Sequence, residues 1–384
     1  MRAVNIHRTR SHSRSVNRSR SHSRSVSRSV SPLCSYLCVV PQRLLVSDFL
    51  QKAGSLPIAD VRSPGEFAKG HIPGAVNIPL FSDDERAQVG TCYKQQGQQQ
   101  AIDLGLELVG PKMAGFVKAA RLLAENKEGL LVHCWRGGMR SGSMAWLFET
   151  AGIPTFTLAG GYKAFRNHVL AAYMLPYQLR VIGGETGSGK TEVLQQIGLQ
   201  GQQILDLEAI ASHRGSSFGA LGMNVQPTVE QFENNLWNEL HKLDTTKPIW
   251  VEDESRSIGR VFVPPLFWAQ KAAAHVYRIS LPHELRVQRL LRDYGTFPVE
   301  LLREAVQRIS KRLGGLDTQR ATEALDSGDL ETVVRITLRY YDKAYNYPYL
   351  SKQKEQVTLV ETPEDNPEAN ALRVLQHYHN QKNV

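Results

Sequence analysis

The sequence predicts an α/β protein built as a parallel-sheet domain over residues 44–172, followed by a second α/β domain over residues 173–384 whose C-terminal part is helical. Three observations carry this prediction. Short apolar runs alternate with helical stretches from Leu44 onward, the pattern of parallel sheets with helices on both faces. Two of those runs end in glycine-rich loops that open helices, at Cys134–Ser141 and at Gly184–Thr191, and sheets of this kind bind ligands at the carboxyl ends of their strands. Residues 1–43 differ from everything after them and cannot build a core.

That leading segment is Arg/Ser/His low complexity, with near-repeats at Ser11–Val16 and Ser21–Val26, and is expected to be disordered. It also explains the net charge of +9. Nine of the 46 basic residues precede the first acid, Asp48, so the remaining 37 basic residues balance 37 acidic ones. A basic arm for RNA, a targeting leader and an extension without function all suit its composition; the last is preferred, because nothing later in the chain depends on it. A neutral body confines any RNA-binding surface to a local patch. Cys34, Cys38, Cys92 and Cys134 have neither zinc-ligand spacing nor the density of a disulfide framework, which suits a reducing compartment, the cytoplasm. No apolar run reaches the roughly 20 residues of a membrane span.

Taken in order, the first domain reads as a strand over Pro57–Val61, helix over Pro111–Asn126, strand over Gly129–His133, helix over Ser141–Ala151, strand over Thr155–Leu158 and helix over Tyr162–Met174. The polar stretch Lys94–Gln100 lacks periodicity and reads as an insertion over the active site. The strand ending at His133 delivers Cys134 into a loop with Gly137 and Gly138, where backbone N–H groups can turn inward at the start of a helix. Arg136 and Arg140 add positive charge, which favours a nucleophilic thiolate at Cys134. Packing alone needs neither the paired glycines nor the two arginines. Cys92 is a candidate second thiol that could meet Cys134 and resolve an adduct; the bland alternative is a structural cysteine.

Asp60-Val61-Arg62, Glu66-Phe67, Gly70 to Ala75, the Cys134 loop and Gly160-Gly161-Tyr162 together resemble a rhodanese domain. In that family the loop cysteine carries sulfur or selenium as a persulfide-type adduct. Five residues separate Cys134 from Arg140, so His133–Ser141 is also similar to the loop of cysteine-dependent phosphatases, where arginine clamps a phosphate. A loop of that size accepts an oxyanion as large as phosphate or selenophosphate.

The second domain opens with a strand, Leu179–Gly183, that runs into Gly184-Glu185-Thr186-Gly187-Ser188-Gly189-Lys190-Thr191, a full Walker A pattern. Gly184, Gly187, Ser188 and Gly189 would cradle a di- or triphosphate with backbone N–H groups, Lys190 would neutralise it, and Thr191 would hold Mg²⁺. The acidic partner is expected at Ile249–Glu254, where Glu252 or Asp253 follows an apolar strand, with Asp253 the second Mg²⁺ contact. Further on, Arg308, Lys311 and Arg312 span roughly 100° of arc on the helix over Pro298–Leu313, and Arg335, Arg339 and Lys343 recur every fourth residue on another. These are candidate RNA-backbone stripes, although such stripes are more often ordinary solvated faces. Tyr340, Tyr341, Tyr345, Tyr347 and Tyr349 beside the second stripe are candidates to stack on bases or to pack in the core.

A rhodanese-like domain joined to a P-loop NTPase-like domain is similar to the tRNA 2-selenouridine synthase family over about residues 44–360. The resemblance rests on Gly90–Gln95, Cys134–Ser141, Gly160–Ala164, Gly184–Thr191, His213–Gly219, Glu252–Arg256 and Tyr340–Asp342. It implies a transferase acting on tRNA with wobble 2-thiouridine, which geranylates the sulfur from geranyl diphosphate and then replaces the S-geranyl group with selenium from selenophosphate. No tightly bound cofactor is implied, and a selenophosphate-supplying enzyme is a candidate partner. Two rival functions use the same residues: a cysteine-dependent phosphatase fused to a kinase-like module, and a non-catalytic, nucleotide-regulated tRNA-binding protein.

Overall fold

The computed structural model of the chain describes residues 41–350 and 356–382, the side chains of 344–350 and Lys382 excepted. Expectations for residues 1–40, including Cys34 and Cys38, and for the side chains of Tyr345, Tyr347 and Tyr349 lie outside the described residues.

The first sheet is built from β1 (Gln42–Leu44), β2 (Ile58–Asp60), β3 (Val76–Asn77), β4 (Leu130–His133) and β5 (Thr155–Leu158) in the order β1-β5-β4-β2-β3, every pair parallel. Helices α1 (Val46–Ala53), α2 (Pro64–Lys69), α3 (Asp83–Gln96), α4 (Gln98–Val109), α5 (Met113–Leu123), α6 (Met139–Thr150) and α7 (Gly161–Ala172) connect and cover it. Strand order reverses between β2 and β4, so the loop after β4 opens at a switch point, where ligands enter such sheets.

Lys94–Gln100 is not the irregular insertion expected. It is helical through α3 and α4, broken only at Gly97, whose φ is 102°. Glutamine and lysine are good helix formers without any apolar period, and Ser82 with Glu85 closes a capping box that starts α3.

The second sheet contains β6 (Leu179–Gly184), β7 (Gln203–Leu205), β8 (Ile249–Glu252), β11 (His275–Ser280) and β12 (Val357–Glu361) in the order β12-β11-β6-β8-β7, again all parallel. The short strands β9 (Ser257–Ile258) and β10 (Val261–Phe262) pair antiparallel beside it. Its helices are α8 (Lys190–Leu199), α9 (Leu207–Ala211), α10 (Val229–Leu240), α11 (Pro265–Ala273), α12 (His283–Tyr294), α13 (Val299–Leu313), α14 (Gly315–Ser327), α15 (Leu330–Leu350) and α16 (Pro367–Lys382). None of the described helices is long and apolar enough to cross a membrane.

The two sheets share one core. A single apolar cluster joins Leu44, Phe49 and Leu131 of the first to Val181, Ile249 and Val276 of the second. The bridging elements are α7 and α10, where Phe165 meets Trp237 edge to face at 5.2 Å. Polar contacts reinforce the seam. Fully buried Asn234 donates to His71 O at 2.9 Å and to the Tyr162 hydroxyl at 2.8 Å, while Tyr162 donates to Glu230 at 2.9 Å. The His71 N–H is held by Gln231 at 2.8 Å.

Asn234→Leu should therefore strand the His71 carbonyl and weaken the Tyr162 hydroxyl network, at about 1–3 kcal/mol for each buried group left unpaired. Calorimetry should show one cooperative transition in both proteins, lower by several degrees in the variant. Two separated transitions in the parent would contradict a shared core.

Candidate active site

Buried strand β4 ends at His133 and presents Cys134, itself 3% exposed, to the first loop. Gly137 sits at φ 64°, where an added Cβ would lie 2.5 Å from the Leu158 carbonyl oxygen. Only glycine lets this turn press against the end of β5. Gly161 faces it, with space for a Cβ only 2.4 Å from the Cys134 carbonyl oxygen. Behind it, the Tyr162 and Lys163 N–H groups donate to the Cys134 and Trp135 carbonyls at 2.8 and 3.0 Å.

The thiol lies 3.2 Å from the Ser141 hydroxyl. Burial pushes the Cys134 thiol up, but the Ser141 hydroxyl, backbone contacts from Ser141 and Gly138, and the Arg140 charge together hold it below its ordinary value. Ser141 is thus the close partner that the sequence reading missed, although it stands directly after Arg140 at the head of α6. The two arginines differ. Arg140 is tied to Glu66, Nη1 to Oε2 at 2.7 Å, and Glu66 is shared with Arg86 at 3.0 Å. Arg136 is exposed and forms no ion pair among the described residues, so the thiolate field comes from the turn, Ser141 and Arg140.

Beneath the loop, His133 and Asp60 are fully buried with Nε2 3.6 Å from Oδ2, and Asp60 is bound to Arg62 at 2.6 Å. Burial holds the imidazole below its usual value, hence neutral. The Arg62 guanidinium lies 3.8 Å from the Tyr162 ring centre. Cys92 does not meet Cys134. Its thiol donates to Gln96 on the same helix at 3.7 Å, and both cysteines are free.

The second loop follows β6, and Gly187 and Gly189 take φ of 76° and 79° before α8 begins at Lys190. Lys190 lies back over the cradle, donating to the Gly184 and Glu185 carbonyls at 3.1 and 3.3 Å. Ser188 closes the turn onto Glu185 O at 2.7 Å. A cleft of about 400 Å³ opens over this loop, with Lys190, Thr191, Glu208, Arg214, Glu254 and Arg289 in its walls.

The acidic partner differs from expectation. Asp253 turns away to Lys271 at 3.2 Å, whereas Glu208, Glu252 and Glu254 bring carboxylate oxygens within 4.8 Å of one another. Thr191 donates to Glu208 at 3.1 Å. Successive side chains at a strand end point to opposite sides, which puts Glu252 and Glu254 together and Asp253 apart. Glu208 enters from the first turn of α9, which follows β7, the strand beside β8, and no sequence spacing announces it. Burial, then the neighbouring Glu254 charge, pushes Glu208 up to about 8. Burial raises Glu252 and Glu254 as well. Glu252 is fully buried with both carboxyl oxygens unpartnered. An oxygen-only set of this kind suits a hard divalent cation.

Half of the stripe residues are already engaged. Arg335 is bound to Glu284 at 2.8 and 2.6 Å and to Glu331 at 2.7 Å. Arg339 faces Asp317 at 3.6 Å, and Arg308 donates to Ser217 O at 3.0 Å. Lys311, Arg312 and Lys343 remain exposed. Tyr341 is drawn inward, accepting from the Ser217 N–H at 3.1 Å and meeting Tyr340 edge to face at 5.0 Å.

Family comparisons agree with this two-site architecture. Residues 45–168 match the rhodanese-like domain, and residues 177–301 match the tRNA 2-selenouridine synthase AAA domain. The tRNA 2-selenouridine synthase of Bdellovibrio bacteriovorus is 44% identical over 62% of this chain and 65% of its own length. Those of Shewanella denitrificans and Bordetella bronchiseptica are 36% and 38% identical, over 82% and 78% of this chain and 94% and 90% of theirs. With 94% and 90% of the length of the latter two relatives matched at 36% and 38% identity, the chain belongs to the tRNA 2-selenouridine synthase family.

Proposed function

We propose that the protein is a transferase that converts wobble 2-thiouridine in tRNA to 2-selenouridine in two steps, one at each loop. The observation that carries this reading is the coexistence, around one core, of a thiol held toward thiolate and a lysine-capped phosphate cradle. In the first step the sulfur of the thiouridine forms a bond to C1 of geranyl diphosphate as the C1–O bond breaks and diphosphate leaves. Lys190 and the loop N–H groups receive the leaving charge. In the second, the Cys134 thiolate attacks the phosphorus of selenophosphate and the P–Se bond breaks, releasing selenide, while water later frees phosphate from the cysteine. The selenide bonds to C2 of the base as the C2–S bond breaks and the geranylthio group departs as the thiol, S-alkylation having made that sulfur the better leaving group. The Cys134 loop serves selenium delivery, with Arg140 exchanging Glu66 for the phosphate oxygens of selenophosphate.

Magnesium fits the second loop. Glu208, Glu252 and Glu254, beside the Thr191 hydroxyl, would hold it, and without a cation the raised carboxyls keep protons that binding would release. When bound, it supplies positive charge to a leaving diphosphate.

Cys134→Ser decides the assignment of the two steps. Serine keeps the loop's shape but gives no nucleophile at neutral pH, so mass spectrometry of tRNA nucleosides, with both co-substrates supplied, should show S-geranyl-2-thiouridine accumulating and no 2-selenouridine. Selenation at the parent rate would remove Cys134 from the mechanism, and loss of both steps would mean that the loops do not act separately.

Lys190→Ala should weaken use of geranyl diphosphate by about tenfold to a hundredfold, the worth of one charge-assisted contact, and leave tRNA binding intact in a filter assay. Geranylation that is unaltered across donor concentrations would exclude this loop as the donor site.

Because the Ser141 hydroxyl favours thiolate, Ser141→Ala should move the pH midpoint of Cys134 alkylation by iodoacetamide upward, with less reaction at neutral pH. A midpoint that stays in place would assign the low value to the backbone and Arg140 alone.

A further inference from the structure

The cleft over the Gly184–Thr191 loop does not end at the phosphate cradle. A second cavity adjoins it, sharing Thr186, Ser216, Leu290 and Tyr294 as walls. Beyond them the lining is supplied by Phe218, Leu302, Val333, Val334 and Leu338, from the segment after α9 and from α13 and α15. Unfilled space in this slot amounts to about 550 Å³ with its open mouth included, yet only about 50 Å³ is wide enough for the centre of a water molecule. It is narrow and lined mostly by apolar side chains.

The apolar wall begins at the loop itself. A Cβ on Gly187 would lie 3.0 Å from Leu290 Cγ, so this α12 leucine sits directly on the phosphate turn. Arg286, one helical turn earlier, donates to Thr186 O at 3.1 Å and grips Asp342 of α15 with two contacts of 2.8 Å. That arginine ties the loop, α12 and α15 together around the slot. Two hydroxyls on the α15 wall are already engaged. Thr337 donates back to Val333 O and Val334 O at 2.9 and 3.0 Å, and Tyr341 holds the Ser217 N–H.

A nucleotide's ribose and base would lose water partners in such a slot and find few replacements. A hydrocarbon chain loses none and gains by leaving water. We infer that the slot seats the hydrocarbon chain of a prenyl diphosphate whose diphosphate lies on the Gly184–Thr191 loop. The inference rests on the proposed use of this loop for geranyl diphosphate, and adds where the chain lies and what measures its length. Because the empty slot is narrow, entry turns the leucine and valine side chains of α12 and α15 aside, and specificity follows from how far those helices give.

Titration calorimetry on the full chain with Mg²⁺ tests this, using inorganic diphosphate, dimethylallyl diphosphate, geranyl diphosphate and ADP as probes. Geranyl diphosphate should bind more tightly than inorganic diphosphate, and more tightly than the five-carbon donor by between tenfold and about a thousandfold, since each seated carbon contributes up to about fourfold. Val334→Phe, which fills the slot, should erase that advantage and leave the affinity for inorganic diphosphate unchanged. Equal affinities for geranyl and inorganic diphosphate would overturn the inference while the loop remained a diphosphate site. ADP binding more tightly than geranyl diphosphate would overturn it in favour of a nucleotide. Failure of every diphosphate to bind would remove the proposed function of the loop and this inference with it. The chain-length comparison in the parent protein stands even if the variant does not fold.

Discussion

The arrangement of the thiol loop depends on how Tyr162 is held. Its backbone N–H fixes the Cys134 carbonyl, its ring covers the Arg62 guanidinium that partners Asp60, and its hydroxyl is shared between Glu230 and Asn234 of α10. One residue therefore links the turn of the first loop, the buried charge beneath it and the helix borrowed from the second sheet. Burial pushes the phenol far above its ordinary value, so the hydroxyl stays a proton donor to Glu230 throughout the physiological range. The rhodanese-like part lacks a closed surface of its own where α7 packs, and α10 supplies it.

The two loops manage charge in opposite ways. Around Cys134 the less exposed cations are balanced before any ligand arrives, Arg140 by Glu66 and Arg62 by Asp60, while Arg136 stays exposed at the rim. An arriving oxyanion has to compete for Arg140, which disfavours weak anions and favours one that also satisfies the turn's N–H groups. Around Lys190 the excess is negative, with three carboxyl groups crowded where burial penalises their ionised forms. That surplus is costly unless protons or a cation neutralise it. The second loop thus gathers three carboxyl groups beside its lysine, whereas the first pairs Arg140 and Arg62 each with a carboxylate.

Both loops and the strands that lead into them were legible in the sequence, because glycine spacing and strand–helix alternation are local signals; β1, β3, β7, β11 and β12 were not, and β1 begins at Gln42, inside the segment 1–43 expected to be disordered. Thr155–Leu158 has the bounds that its pattern implied, and β4 and β6 differ from theirs by one residue. What else was not legible depends on strand order. Glu208 belongs to the carboxyl cluster only because β7 lies beside β8, and Asn234 reaches Tyr162 across 72 residues of sequence. Lys94–Gln100 misled for a different reason: a helix lying on the surface needs no apolar stripe, so absence of periodicity did not mean absence of structure.

The ion pairs on α15 bear on how tRNA would be met. Arg335 and Arg339 face Glu284, Glu331 and Asp317, and an arginine that must first leave a carboxylate returns less on meeting a phosphate than a free one. Arg136 and Lys163, by contrast, are exposed and have no ion pair among the described residues, and the Lys163 backbone is bonded to the Cys134 loop at Trp135. Cations at the rim of the thiol loop would attract an RNA backbone toward it, and half-buried Trp135 beside Arg136 has its ring 5.7 Å from that of Tyr162. Recognition placed there would bring phosphate to the loop proposed for the second co-substrate. The docking charge and the chemistry would then share one turn of backbone, the one that Tyr162 fixes.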